Sequence, residues 1–289
     1  MDFREIDFCP SLGNCNIKAV AELLADKLFS KSEAAKKLLT ARYEQLKRNC
    51  VDVSHDNPLW DLEGIIADHE DKAALLPVQR KRMGECGTLV NQLWEHANFG
   101  HDMPFWMVRS KVIHAPHVMI ITQDPRRTGQ DEGILTLSTP FAFHSITYRK
   151  VCCYNHTMFH FIRNLIYDSN ACVYITDCRK FYTSDDFVRS NAMRFKSLFD
   201  DVLRIELSLF KADLIVTLGN DAADSMKAKH PNEGLSVQNI ENRSVIAAHH
   251  TCARPYHFTT KGKDWCKEEY FIEVFKIVQE WLNKHPRIT

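Results

Sequence analysis

The chain predicts an α/β fold: a three-layer α/β/α domain built on a central, mainly parallel, four-stranded sheet, with helices added at the N-terminus. Two observations lead there. Four short apolar runs, HVMIIT (117–122), CVYIT (172–176), ADLIVTL (212–218) and SVIAAH (244–249), read as strands buried on both faces. Between them lie MFHFIRNLIYDS (158–169), FVRSNAMRFKSLFDDVL (187–203) and DAADSMKAKH (221–230), which carry apolar residues at helical spacing. Strands that alternate with helices are the pattern of a parallel sheet, because each parallel pairing needs a crossover.

The N-terminal part has a different texture. IKAVAELLADKLF (17–29) and SEAAKKLLTARYEQLKRN (32–49) predict two amphipathic helices, and VDVSHDNPLWD (51–61) a polar connector. LEGIIADHEDKAALLP (62–77) and CGTLVNQLWEHANF (86–99) also read as helical, separated by the basic run Gln79 to Gly84. KEEYFIEVFKIVQEWLNK (267–284) is a closing amphipathic helix. This places an N-terminal helical region, residues 1–84, on a main α/β domain of residues 85–289.

Composition bounds the function. The 289 residues hold 37 Lys plus Arg against 37 Asp plus Glu, which excludes a uniformly basic protein that coats a polyanion; any such contact is local. The start, MDFREIDFCPSLG, has no basic segment followed by an apolar one, and no run of about 18 apolar residues occurs, so no membrane association is expected and the location expected is the cytoplasm. Ten scattered Cys without a CxxC pair read as reduced thiols rather than a metal knuckle. Neither GxGxxG nor GxxxxGK[ST] occurs, so no nucleotide cofactor is expected, and the 14 His read as composition, so no metal is expected.

Polar residues follow each of the four strands: Gln123-Asp124-Pro125, Asp177, Gly219-Asn220 and His249-His250-Thr251. Ligand sites in open parallel sheets form at these carboxyl ends. The plainer reading of each group is a turn or a packed side chain.

In order along the chain, these strand ends resemble the uracil-DNA glycosylase superfamily. TQDPRRTGQDEGILTLS (122–138) resembles its glutamine-aspartate-proline-tyrosine loop, and VYITDCRKF (173–181) its base-reading strand. LIVTLGNDAA (214–223) resembles a central strand, and VIAAHHTCAR (245–254) the histidine-proline-serine loop. The resemblance spans roughly residues 85 to 284 and implies a monomeric, monofunctional glycosylase that hydrolyses the bond between sugar and flipped-out base in DNA. It implies that Asp124 orients water and steadies a sugar cation, that His249 donates to the leaving base, and that Gln123 holds the base or sugar edge. His250 competes with His249 for that role. Arg127, Thr251 and Arg254 would contact DNA.

Departures from that pattern shift the expected substrate. Asp177 stands at the base-reading asparagine, and an ionised carboxylate accepts from an amino group but cannot donate to uracil O4. Arg126 stands at the tyrosine that walls off C5, and Leu137, Phe141 and Phe143 compete for the stacking position. The resulting expectation is excision of a C5-modified cytosine, as in phage DNA. Excision of uracil or a damaged base in repair, or a catalytically silent DNA-binding relative, are the alternatives.

Overall fold

The computed structural model describes residues 5–52, 76–84, 86–110, 112, 114–143, 156–251, 257–260 and 263–286. In chain order the elements are β1 (Ile6–Phe8), α1 (Ile17–Leu28), α2 (Glu33–Asp52), β2 (Leu76–Gln79), α3 (Thr88–Leu93), β3 (Gly100–Asp102), β4 (Phe105–Arg109), β5 (His117–Thr122) and β6 (Ile134–Ser138). They continue with α4 (His156–Tyr167), β7 (Cys172–Asp177), α5 (Phe187–Ser190), α6 (Ala192–Phe210), β8 (Leu214–Leu218), α7 (Asn220–Ser225), β9 (Val237–Ile240) and β10 (Arg243–Ala248). The hairpin β11 (His257–Thr260) and β12 (Lys263–Cys266) precedes α8 (Lys267–Lys284).

Seven strands form the main sheet in the order β1-β4-β7-β5-β8-β10-β9. The pairings β7 with β5, β5 with β8 and β8 with β10 are parallel, whereas β1 with β4, β4 with β7 and β10 with β9 are antiparallel. A separate three-stranded sheet has the order β2-β6-β3. This corrects the expected architecture: the sheet is mixed and seven-stranded, with antiparallel strands at both edges, and a second sheet lies outside it.

The added strands escaped the sequence pattern for a physical reason. Ile6–Phe8 and Gly100–Asp102 are three residues long, and Leu76–Gln79 opens on Leu-Pro at the end of a stretch that reads as helical. Such segments are too short for a period to be read. Residues 62–75, where a helix is expected, lie outside the described residues.

Both faces of the main sheet are covered. Neighbouring residues on a strand point to opposite sides, and β4 shows it: Phe105 packs its ring near Phe143 at 6.3 Å, and Phe143 meets Phe159 of α4. Trp106 stacks instead on Tyr174 and meets Tyr43 of α2, and Tyr174 meets Phe210 of α6. The α2 helix is tied down by Tyr43, whose hydroxyl donates to the Pro104 carbonyl at 3.0 Å. One hydrophobic cluster runs through α1, α2, both sheets, α4, α6 and α8. No helix among the described residues is long and apolar enough to cross a membrane.

Candidate functional site

The parallel strands β7, β5, β8 and β10 end side by side, which brings their following residues together. Thr122 and Asp177 are partners in the β5–β7 register, and the Thr122 hydroxyl donates to Asp177 Oδ1 at 3.0 Å. Gly219 ends β8 with φ 90°, a conformation that favours glycine, and its N–H donates to the Ala248 carbonyl of β10 at 2.8 Å. A Cβ at Gly219 would stand 3.4 Å from His250 Cβ and 3.9 Å from Gln123 Oε1. Gln123, Gly219 and His250 are thus neighbours at the strand ends.

Asp124 is held from two sides. Gln123 Nε2 donates to its Oδ2 at 3.4 Å, and Arg179 Nη1 lies 3.5 Å from the same oxygen. The other arm of Arg179 pairs with Asp221 of α7 at 2.8 Å, so one guanidinium ties the end of β5 to the helix that follows β8. Burial pushes the Asp124 carboxyl up, and Arg179 pulls the other way. Asp124 also edges a shallow surface cleft of only about 10 Å³ with Tyr182, Thr183, Asp186 and Arg189.

Asp177 is buried at the end of β7, and its Oδ2 has no hydrogen-bond partner among the described residues. Burial first, and then the negative charge of Asp102, pushes its carboxyl well above the usual carboxylate range. That favours the neutral acid, which is a donor. The sequence-based expectation of an ionised, acceptor-only Asp177 is corrected, and the preference for cytosine that rested on it goes with it.

Beneath the strand ends lie two buried cation networks. Arg127 uses all five of its N–H donors inward: Nε to Thr136 Oγ1 at 3.1 Å, Nη1 to the Pro125 and Arg126 carbonyls at 3.1 Å each, and Nη2 to the His101 carbonyl at 3.4 Å and to the Asp102 carboxylate. This side chain braces the 123–129 loop against β3 and β6. Gly100 makes room for it, since a Cβ there would lie 2.5 Å from Arg127 Cγ. Lys180, fully buried, donates to Glu206 at 2.8 Å and to Thr176 at 2.7 Å.

The remaining candidate residues divide. Phe141 reaches the site: its backbone is left-handed (φ 58°, ψ 17°), and its ring stacks on His250 with centroids 6.1 Å apart. Leu137 and Phe143 are fully buried core residues, which leaves neither a face for a stacked ring. His249 donates its N–H to the Tyr270 hydroxyl at 3.1 Å and packs its ring near that of Tyr270. Burial, followed by the charge of Lys267, pulls the His250 imidazole down to about 4, so it is neutral at pH 7. Thr251 is fully buried, Arg126 is exposed, and Arg254 lies outside the described residues.

Asp221 and Asp102 were not among the residues expected at the site, whereas Arg179-Lys180 reads from the sequence as a basic contact near it. Arg179 had a signal, standing two residues past a strand end. Asp102 had none, because its partner Arg127 is 25 positions away.

Among the described residues no group of three or more His, Cys, Asp or Glu is placed to hold a metal ion. No protein-family model matches the chain, and no curated protein matches it. The mixed seven-stranded sheet and the second sheet, with no family model or curated protein matched, overturn the resemblance to uracil-DNA glycosylases. The assignments that followed from it, N-glycosidic hydrolysis, base flipping and a modified-cytosine substrate, are withdrawn.

Proposed function

We propose that the strand ends form a binding site for a small planar molecule with an amide-type edge, such as a lactam heterocycle. The observation that carries this is Asp177 Oδ2, a buried carboxyl oxygen with no hydrogen-bond partner among the described residues. Leaving such a group unsatisfied costs about 1–3 kcal/mol, and a ligand acceptor removes that cost. As a neutral acid Asp177 donates to a ligand carbonyl, and Asp124 or the Gln123 carbonyl oxygen accepts from the adjacent ring N–H. Phe141 and His250 supply a flat surface, and the left-handed backbone at Phe141 is strain of the kind that accumulates where a side chain must be aimed.

The protein acts in this reading as a monomer in the cytoplasm. Cys9, Cys15, Cys86, Cys172, Cys178 and Cys266 carry free thiols, which suits a reducing compartment. Titration calorimetry with free 2-pyridone tests the reading, with an oligonucleotide carrying a lactam base as a separate arm for a nucleic-acid partner. Saturable 2-pyridone binding that weakens at least about tenfold in Asp177→Ala is expected. Equal binding by the wild type and Asp177→Ala contradicts the reading.

A further inference from the structure

A second cavity lies at the opposite end of the main sheet. Its volume is about 390 Å³, within the range of small-molecule sites. It opens beside His117, the first residue of β5, whereas Gln123 and Asp124 follow the last; six strand residues put the two ends roughly 20 Å apart. The cavity is therefore separate from the strand-end site.

Its lining has a definite chemistry. Leu12, Val108, Leu209 and Phe210 supply an apolar wall. Part of that wall is rigid: the His117 ring stacks on Phe210 at 4.6 Å and 15°, and His117 Nδ1 lies 2.7 Å from the Phe210 carbonyl, which makes that nitrogen the donor. The ionisable side chains that line it are His114, His117 and Lys211, with no Asp or Glu among the described lining residues. Asp213, the nearest acid in sequence, is not one of the described lining residues, and its Oδ2 accepts the His117 backbone N–H at 2.7 Å.

Lys211 is unusual where it stands. It occupies the left-handed position that ends α6 (φ 53°, ψ 59°), with its N–H donating to the Leu207 carbonyl. Glycine is the common residue at such a position, since any Cβ is strained there. The Lys211 ammonium makes no ion pair with another described residue, and neither does His114, which is exposed and also left-handed at φ 65°. Two strained residues thus present basic side chains to a cavity with apolar walls and no Asp or Glu among its described lining residues.

We infer that this cavity binds a small amphipathic monoanion, an aromatic or aliphatic carboxylate, with its apolar body against Val108, Leu209 and Phe210 and its carboxylate at Lys211 and His114. The apolar wall supplies affinity through buried area, and the Lys211 ammonium selects the charge.

The probe is 2-naphthoate, with neutral 2-naphthalenemethanol as its control, measured by titration calorimetry on the whole chain. Two variants separate binding from folding. Lys211→Gly removes the ammonium while relieving the left-handed strain, so its Tm equals or exceeds that of the wild type. Val112→Trp fills the cavity with a bulky ring from a half-buried lining position. Saturable 2-naphthoate binding that weakens about tenfold in Lys211→Gly, is comparably weak for the neutral control and is lost in Val112→Trp is expected. The proposal is overturned if 2-naphthoate shows no saturation up to about 10 mM, or if it binds wild type, Lys211→Gly and Val112→Trp alike.

Discussion

Thr122 Oγ1 donates a 3.0 Å hydrogen bond to Asp177 Oδ1 across the parallel β5–β7 pairing, while Asp177 Oδ2 has no hydrogen-bond partner among the described residues. The bond fixes the carboxyl in one orientation and leaves its second oxygen for another molecule. It also sets up a test of protonation state. With the native carboxyl raised well above its ordinary range, the native chain holds a proton at Asp177 that the unfolded chain releases near pH 4. Stability then falls as pH rises from about 4 through the raised native value. Asp177→Asn keeps the shape and the Thr122 bond without the charge. Its stability gain over the wild type is expected to be small near pH 4 and to grow to roughly 1–3 kcal/mol at pH 8, measured by urea unfolding across that range.

Lys180 and Glu206 form a fully buried pair, and burial alone pushes the Glu206 carboxyl up against the pull of Lys180. Removing one partner leaves an uncompensated buried charge. Lys180→Met is expected to destabilise by about 3–5 kcal/mol, whereas Lys180→Met combined with Glu206→Met costs much less. A thermodynamic double-mutant cycle measures the difference.

Arg127 satisfies five acceptors around Gly100 and the 123–129 loop. Arg127→Ala is expected to cost about 3–5 kcal/mol, because it strands Asp102 and three carbonyls. Gly100→Ala acts on the same contact by overlap, and a loss of about 1–3 kcal/mol is expected by chemical unfolding. A surface role for Arg127 predicts no loss in either variant.

The parts of this fold that were legible in the sequence are those with a period or an unbroken apolar run. HVMIIT, CVYIT and ADLIVTL are strands β5, β7 and β8, and each is buried along nearly its whole length. The edge strands β1 and β9 were not legible, because three or four residues with one partner each carry no repeat. At the site, position after a strand end pointed to Gln123, Asp124, Asp177 and His250; in the fold Gln123 and His250 both approach Gly219, and Asp177 bonds to Thr122 beside Gln123. Position said nothing of their charge. Asp177 reads as an anion in the sequence, and only its burial beside Asp102 makes the neutral acid the favoured form. Arg126-Arg127 reads as one basic pair, yet the first is exposed and the second is buried on Asp102, a partner that only the folded chain reveals.

Phe141 offers a separation of packing from binding. Its left-handed backbone costs of order 1 kcal/mol for a residue with a Cβ, and glycine adopts it freely. Phe141→Gly gains from relief of strain and loses the half-buried ring, so a Tm close to wild type is expected by calorimetric scanning. Binding of 2-pyridone is expected to fall about tenfold, because the ring that stacks on His250 is gone.

The central claim is that Asp177 acts on a ligand as a neutral hydrogen-bond donor. The most direct measurement is 2-pyridone affinity in wild type, Asp177→Asn and Asp177→Ala between pH 5 and 9. The Asn amide also donates, so Asp177→Asn is expected to bind within about threefold of wild type at pH 5, with Asp177→Ala at least about tenfold weaker. Binding by Asp177→Asn as weak as that by Asp177→Ala, together with wild-type binding that tightens as pH rises, would show an ionised acceptor at this position and contradict the account.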